Sequence, residues 1–208
     1  MRTGSSIEIM RTPYAVGDTR QVDQSEAAAK VALRRDLRGA RRERVAASDE
    51  SSRRELGRRL AAHLAQFLAD ARTPCVAVFE SLPTEPPTEE IIATLRSAGY
   101  QVIAPILLAD KDLSWRDLAT DEDLGVTAIA DAAVIVLPAL AVDVTGRRLG
   151  QGGGSYDRAL LRSDPEALRL AVVFDDEVLT AVPADDHDQP VDAVLTPDQG
   201  VRRLPLPD

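Results

Sequence analysis

Aromatic residues are scarce in this 208-residue chain, at 3 %, so the core must be built from Leu, Val, Ile and Ala. There is one cysteine, Cys75, which excludes an intramolecular disulfide and any metal-binding cysteine spacing. It opens an apolar run and reads as a small buried side chain rather than a nucleophile. No apolar stretch approaches the length of a membrane span. The N-terminal "MRTGSSIEIMRTPYAVGD" has no apolar signal core. A cytoplasmic protein with no membrane partner is expected. No Gly-Lys pair occurs anywhere, which rules out the P-loop pattern.

What is present is a globular composition, with 44 % hydrophobic and 28 % charged residues. The net charge of −9 is uneven: residues 1–70 hold 14 Lys+Arg against 10 Asp+Glu, and the rest is strongly acidic. The acidic body argues against nucleic acid as a partner. The basic part either attracts a polyanionic ligand or is a solvated helix face.

The length suits one domain. Residues 1–24 read as a mobile tail, with Met10 as a possible natural start, and residues 25–208 as a single α/β domain. Ser25 is placed to cap a helix carrying Leu33, Leu37 and the run Arg34, Arg35, Arg38, Arg41, Arg42 and Arg44. Ser48 is placed to cap a second helix with the stripe Leu56, Leu60, Leu64 and Phe67. His63 borders that stripe as a packed residue. Strands are expected at 75–79, 101–105, 133–138, 168–174 and 192–196. Thr88 is placed to cap a helix between the first two. Strands alternating with helices imply a mainly parallel sheet with helices on both faces.

Five of the twelve glycines fall within "GRRLGQGGG" at 146–154, directly before Tyr156, Asp157 and Arg158. The dinucleotide fingerprint starts well at Gly150 and Gly152 but meets Ser155 where its third glycine belongs. A glycine run between a strand and a helix still lets successive N–H groups face one anion, and the helix start near Tyr156 adds its positive end. Arg147, Arg148 and Arg158 supply cationic side chains. A phosphate site is favoured over a flexible surface loop.

The stretch "GRRLGQGGGSYDRAL" resembles the signature of the 5-formyltetrahydrofolate cyclo-ligase family, with Asp143 three positions before its first glycine. Three segments agree in order. They are "KVALRRDLR" with Lys30, Leu33 and Arg34, "VFESLPTEPPTEEI" with Glu85 and Thr88, and "VPADDHDQPVDAVLTP". The resemblance runs from about Lys30 to Pro197. Ser155 replaces a usual aromatic residue, Val142 a frequent Phe, and the segment between Trp115 and Val126 is shorter than usual.

The resemblance implies a three-layer α/β fold of the NagB/RpiA/CoA-transferase-like kind. It implies a monomeric ligase forming a C–N bond from ATP and 5-formyltetrahydrofolate, with Mg²⁺ as cofactor. Lys30, Arg34 and the loop Arg148, Leu149, Gly150, Gln151, Gly152, Gly153, Gly154, Ser155 and Tyr156 would hold ATP, with Arg148 catalytic. Glu80, Glu85 and Gly152 to Ser155 would contact the folate. Asp157 and Asp188 would hold Mg²⁺, and His187 beside them is expected at the surface. The alternatives keep the fold and ATP site with a different substrate, or make the protein a non-enzymatic nucleotide- or RNA-binding member of the fold.

Overall fold

The computed structural model describes residues 19–69, 74–185 and 188–205, with the backbone alone for 19–24. Two helices come first, α1 (Thr19–Ala46) and α2 (Glu50–Phe67). Next are β1 (Cys75–Val78), α3 (Glu89–Ser97), β2 (Gln101–Leu107) and β3 (Leu113–Asp117). A 3-10 turn at Ala128–Asp131 leads into β4 (Val134–Pro138), β5 (Ala141–Asp143) and β6 (Arg148–Leu149). Then come α4 (Ser155–Leu160), β7 (Leu168–Val172), a 3-10 turn at Asp175–Glu177, β8 (Val178–Leu179), β9 (Ala193–Thr196) and β10 (Gly200–Arg203).

Among the described residues the main sheet has seven strands in the order β10-β9-β7-β4-β1-β2-β3. The five strands expected from the sequence are its parallel centre. The short edge strands β3 and β10 pair antiparallel. Alternation along the strands divides the core in two. Val76, Val78, Val136 and Leu170 face α2 and α3, meeting Leu60, Leu64, Ile91 and Leu95. Ala77, Ile103, Ile135 and Ala171 face the other way, toward α4 and the first 3-10 turn, where Trp115, Ile129 and Leu160 lie.

A second sheet of three strands, β6-β5-β8, is built from segments too short to read in the sequence. Leu33 and Leu37 of α1 pack on its Leu140, Ala141 and Leu149. Near its C-terminal end α1 is held by Arg41, which donates to the Glu177 carboxylate at 2.8 and 2.7 Å and to Ala139 O at 2.6 Å. Both partners of that ion pair are almost wholly buried. Arg44 stacks on the Phe174 ring at 4.0 Å and pairs with Asp176. The basic helix is therefore only partly a solvated face: Arg35 and Arg42 are exposed, whereas Arg41 is core.

None of the three expected caps makes a side-chain capping bond, and two lie off the N-cap position. Helix α1 begins at Thr19, so Ser25 lies inside it. Asp49 caps α2 by accepting from Ser52 N at 2.7 Å, while Ser48 Oγ turns back to Arg44 O. Thr88 holds the N-cap position of α3 without capping it; its hydroxyl donates to Phe79 O at 2.7 Å and accepts from Ser81 N. His63 is half-buried against Gly200. The expectations for residues 1–18, including Met10, and for His187 lie outside the described residues. No described helix is long and apolar enough to cross a membrane.

From β1 the chain passes to β2 on one side and, later, to β4 on the other. Open α/β sheets bind ligands at such a reversal, outside the carboxyl ends of the strands. Phe79, Glu80 and Pro138 lie at that point.

Candidate active site

A cavity of about 720 Å³ opens there. The structure brings to its walls most of the site residues singled out in the sequence: Lys30 and Arg34, Glu80 and Glu85, the run from Arg148 to Asp157, and Asp188. Arg147 and Arg158 are not among the lining. Arg147 is exposed, and Arg158 donates to Lys111 O at 2.5 Å.

The glycine loop leaves β6 and enters α4. Gly152 has φ +96° and Gly154, at the N-cap of α4, has φ +68°. Both lie in the left-handed region that side chains disfavour. A Cβ on Gly152 would sit 3.4 Å from Cζ of Arg34. Helix α1 grips the loop from outside. Arg34 Nε donates to Gly150 O at 2.9 Å, and Arg38 donates to the side chain and backbone oxygens of Gln151 at 3.0 and 2.8 Å. With these carbonyls drawn toward α1, the chain around them is fixed in one orientation. The base of the loop is braced by buried Asp143, which accepts from Thr145, Arg147 N and Val182 N. Burial alone would raise its pKa, but those hydrogen bonds outweigh it and hold the carboxyl below its ordinary value.

Arg148 is buried and donates to Asp157 Oδ1 at 2.5 Å. Its Nε and the Tyr156 hydroxyl are buried polar atoms with no hydrogen-bond partner among the described residues. Burial pushes the Tyr156 phenol far upward, and the nearby Glu85 charge adds to it against the opposing effect of Arg148. Tyr156 therefore stays a neutral hydroxyl.

Lys30 is buried, with Nζ 2.5 Å from both Asp185 Oδ2 and Asp188 Oδ2. Burial favours its neutral form, but the hydrogen bonds it donates to Asp185 and Asp188 prevail and raise its pKa. Among the described residues no three His, Cys, Asp or Glu side chains converge as a metal site. Asp157 and Asp188 each already hold a cationic side chain. The donor chemistry still fits Mg²⁺, which needs only one or two carboxylates beside phosphate oxygens and water. The ammonium lodged between Asp185 and Asp188 shows that this corner of the cavity stabilises a cation.

The third wall is the turn after β1. Glu85 is 4 % exposed, and its Oε2 accepts from Leu82 N at 2.9 Å. Glu80 is half-exposed and accepts from Arg116 at 2.8 Å. Val31, Leu82 and Leu107 are exposed apolar residues on the cavity rim. Ser155, which replaces the aromatic residue usual in the family signature, also lines the wall, and Val142 is buried in β5.

Several contributors escaped the sequence reading. Asp185 stands three residues before Asp188, and Arg38 follows Arg34 by one helical turn, so spacing could have found both. The apolar rim carried no local signal, because its members come from three distant elements.

The sequence model of the 5-formyltetrahydrofolate cyclo-ligase family matches residues 26–197. The 5-formyltetrahydrofolate cyclo-ligase of Mycolicibacterium smegmatis is 36 % identical over 152 residues, covering 64 % of this chain and 77 % of that protein. That of Escherichia coli K12 is 26 % identical over 174 residues, covering 75 % and 96 %. In fold, the chain is similar to the 5,10-methenyltetrahydrofolate synthetase of Aquifex aeolicus, with TM-score 0.70, 24 % identity and coverage of 86 % and 94 %. It is also similar to that of Mycoplasma pneumoniae, with TM-score 0.66, 18 % identity and coverage of 79 % and 96 %.

Proposed function

The chain belongs to the 5-formyltetrahydrofolate cyclo-ligase family, and from that premise we propose that it converts 5-formyltetrahydrofolate and ATP into 5,10-methenyltetrahydrofolate, ADP and phosphate in the cavity described above. The observation that carries this reading is that one cavity joins a glycine loop gripped by arginines to a buried carboxylate at the end of β1. The first suits a polyphosphate and the second a ring bearing N–H donors.

In this reading the formyl oxygen attacks the γ-phosphorus and ADP leaves. N10 then adds to the formyl carbon, its proton is lost, and phosphate departs with the former formyl oxygen. The chain's task is positioning and charge neutralisation. The N–H groups of the loop from Gly150 to Tyr156 hold the phosphates, with Lys30 and Arg34 beside them. Arg148, already fixed by Asp157, stabilises charge that develops on the transferred phosphoryl group. Glu85 accepts from the pterin N–H groups. Tyr156, uncharged, offers its hydroxyl to a ligand oxygen. Mg²⁺, held by Asp157 and Asp188, would neutralise phosphate charge. The same reading makes the protein a cytoplasmic monomer whose partners are ATP and 5-formyltetrahydrofolate.

The test is the absorbance of methenyltetrahydrofolate formed by purified protein with ATP, Mg²⁺ and 5-formyltetrahydrofolate. Product that depends on both substrates supports the reading. ATP bound with no folate turnover overturns it.

A further inference from the structure

The turn that carries Glu85 has open space on both of its sides. Leu82 and Glu85 line the active-site cavity. Ser81, Pro83 and Glu89, in the same stretch, line a second cleft of about 440 Å³ between the turn and α2. Pro87, at the C-terminal end of the turn, packs near Gly57 of α2, but the Ser81–Pro83 part faces the cleft, and there polar ties hold it. Arg53 of α2 lies in that cleft and supplies four of them. Its Nη1 donates to Pro83 O and Glu85 O at 3.0 Å each, and its Nη2 to Ser81 Oγ at 3.2 Å and Glu89 Oε1 at 3.4 Å. A planar guanidinium can serve all four acceptors at once, whereas an ammonium cannot. The Glu85 carboxylate is oriented from within the turn by Leu82 N. Its location thus follows the Pro83–Glu85 backbone that Arg53 holds.

We propose that Arg53, which does not line the active-site cavity, is the positioning residue that presents Glu85 to the pterin; this rests on the cyclo-ligase reading. Arg54 is a matched control, since it lies one position away in the same helix, is more than half exposed and pairs with Glu50.

The experiment compares Arg53→Met, Arg53→Lys and Arg54→Met with the parent by hydrogen exchange and steady-state kinetics. In ligand-free Arg53→Met, amides of residues 81–89 should exchange faster while those of 150–156 do not change. The KM for 5-formyltetrahydrofolate should rise about tenfold while the KM for ATP stays within about twofold, the split expected when one subsite is misplaced. Arg53→Lys should fall between parent and Arg53→Met, and it carries the same test if Arg53→Met does not fold. Unaltered exchange at 81–89, an equal rise in both KM values, or the same result from Arg54→Met would overturn the assignment. Faster exchange at 81–89 in a protein that never turns over folate upholds the clamp and overturns the substrate reading instead.

Discussion

In the proposed reading, the backbone is the binding surface at the end of the cavity formed by residues 148–157. Gly152 and Gly154 adopt positive φ, and α1 grips the loop through Arg34 and Arg38. At the end formed by residues 81–89, the surface is one buried carboxylate with apolar neighbours, held from α2 through Arg53. The difference matches two kinds of ligand. A polyphosphate offers many equivalent oxygens and is met by many equivalent N–H groups, so no single amide dominates. A ring with fixed donors is met by one carboxylate, so the effect of mutation should concentrate there. The two ends are also suspended from different helices, which makes them separable by mutation.

The largest effect should come at the base of the glycine loop. Arg148 lines the cavity, is buried and bonded to Asp157, and its Nε has no hydrogen-bond partner among the described residues. Its removal should cost most in the transition state, as for any preorganised donor, lowering kcat by about 10²–10³-fold. KM for both substrates should change far less. An Arg148→Ala protein altered chiefly in folate KM would place this side chain in the folate subsite and break the division.

The nucleotide end is tested next by Gly152→Val. A β-branched residue at φ +96° is strained, while its Cβ would make ordinary contact with Arg34 at 3.4 Å. Strain of this kind is about 1–3 kcal/mol; if the loop turns to relieve it, the ATP KM should rise by up to about a hundredfold. Folate binding measured without nucleotide should not change. Circular dichroism checks that the variant is folded, and a folded variant with parental ATP affinity would remove the loop from the nucleotide site.

The contrast between the ends also explains what was legible in the sequence. The nucleotide end is a contiguous run whose glycine spacing stands out, and Lys30 and Arg34 share one helix face. The parallel centre of the sheet was legible because each strand is a short, mostly apolar run. The small sheet was not: β5 pairs with β8 across more than thirty residues, and none of its strands is longer than three. Edge strand β3, "LSWRD", alternates too briefly to separate from a loop. Ser48 and Asp49 are both cap-forming residue types, and only the hydrogen bond to Ser52 N decides between them. Glu85 looked like any turn carboxylate until resemblance singled it out, because its burial comes from distant packing.

The folate end is tested by Glu85→Gln. The amide keeps an acceptor for Leu82 N and presents a donor to the donor edge of the pterin. A charge-assisted bond contributes about 1.5–3 kcal/mol; with shape retained, the lower end applies and KM for 5-formyltetrahydrofolate should rise about tenfold. ATP KM should stay at the parental value. A variant that binds folate normally and fails to bind ATP would move Glu85 to the other end.

The smallest effect sharpens the comparison most, because it asks whether the grip of α1 on the loop matters apart from contact with phosphate. Arg38 does not line the cavity; its guanidinium reaches only the outer side of the loop, through Gln151. Those bonds are solvent-exposed, and exposed charged contacts contribute roughly 0.2–1 kcal/mol. Arg38→Ala should therefore raise the ATP KM by only about two- to fivefold, with folate KM unaltered. Adding salt should narrow the gap between parent and variant, since counterions screen an exposed guanidinium in the parent. Arg34 bonds Gly150 O on the cavity side of the same helix face, so Arg34→Ala should cost more than Arg38→Ala. Equal effects from the two would mean that α1 acts only by holding the loop, and that Arg34 makes no phosphate contact of its own.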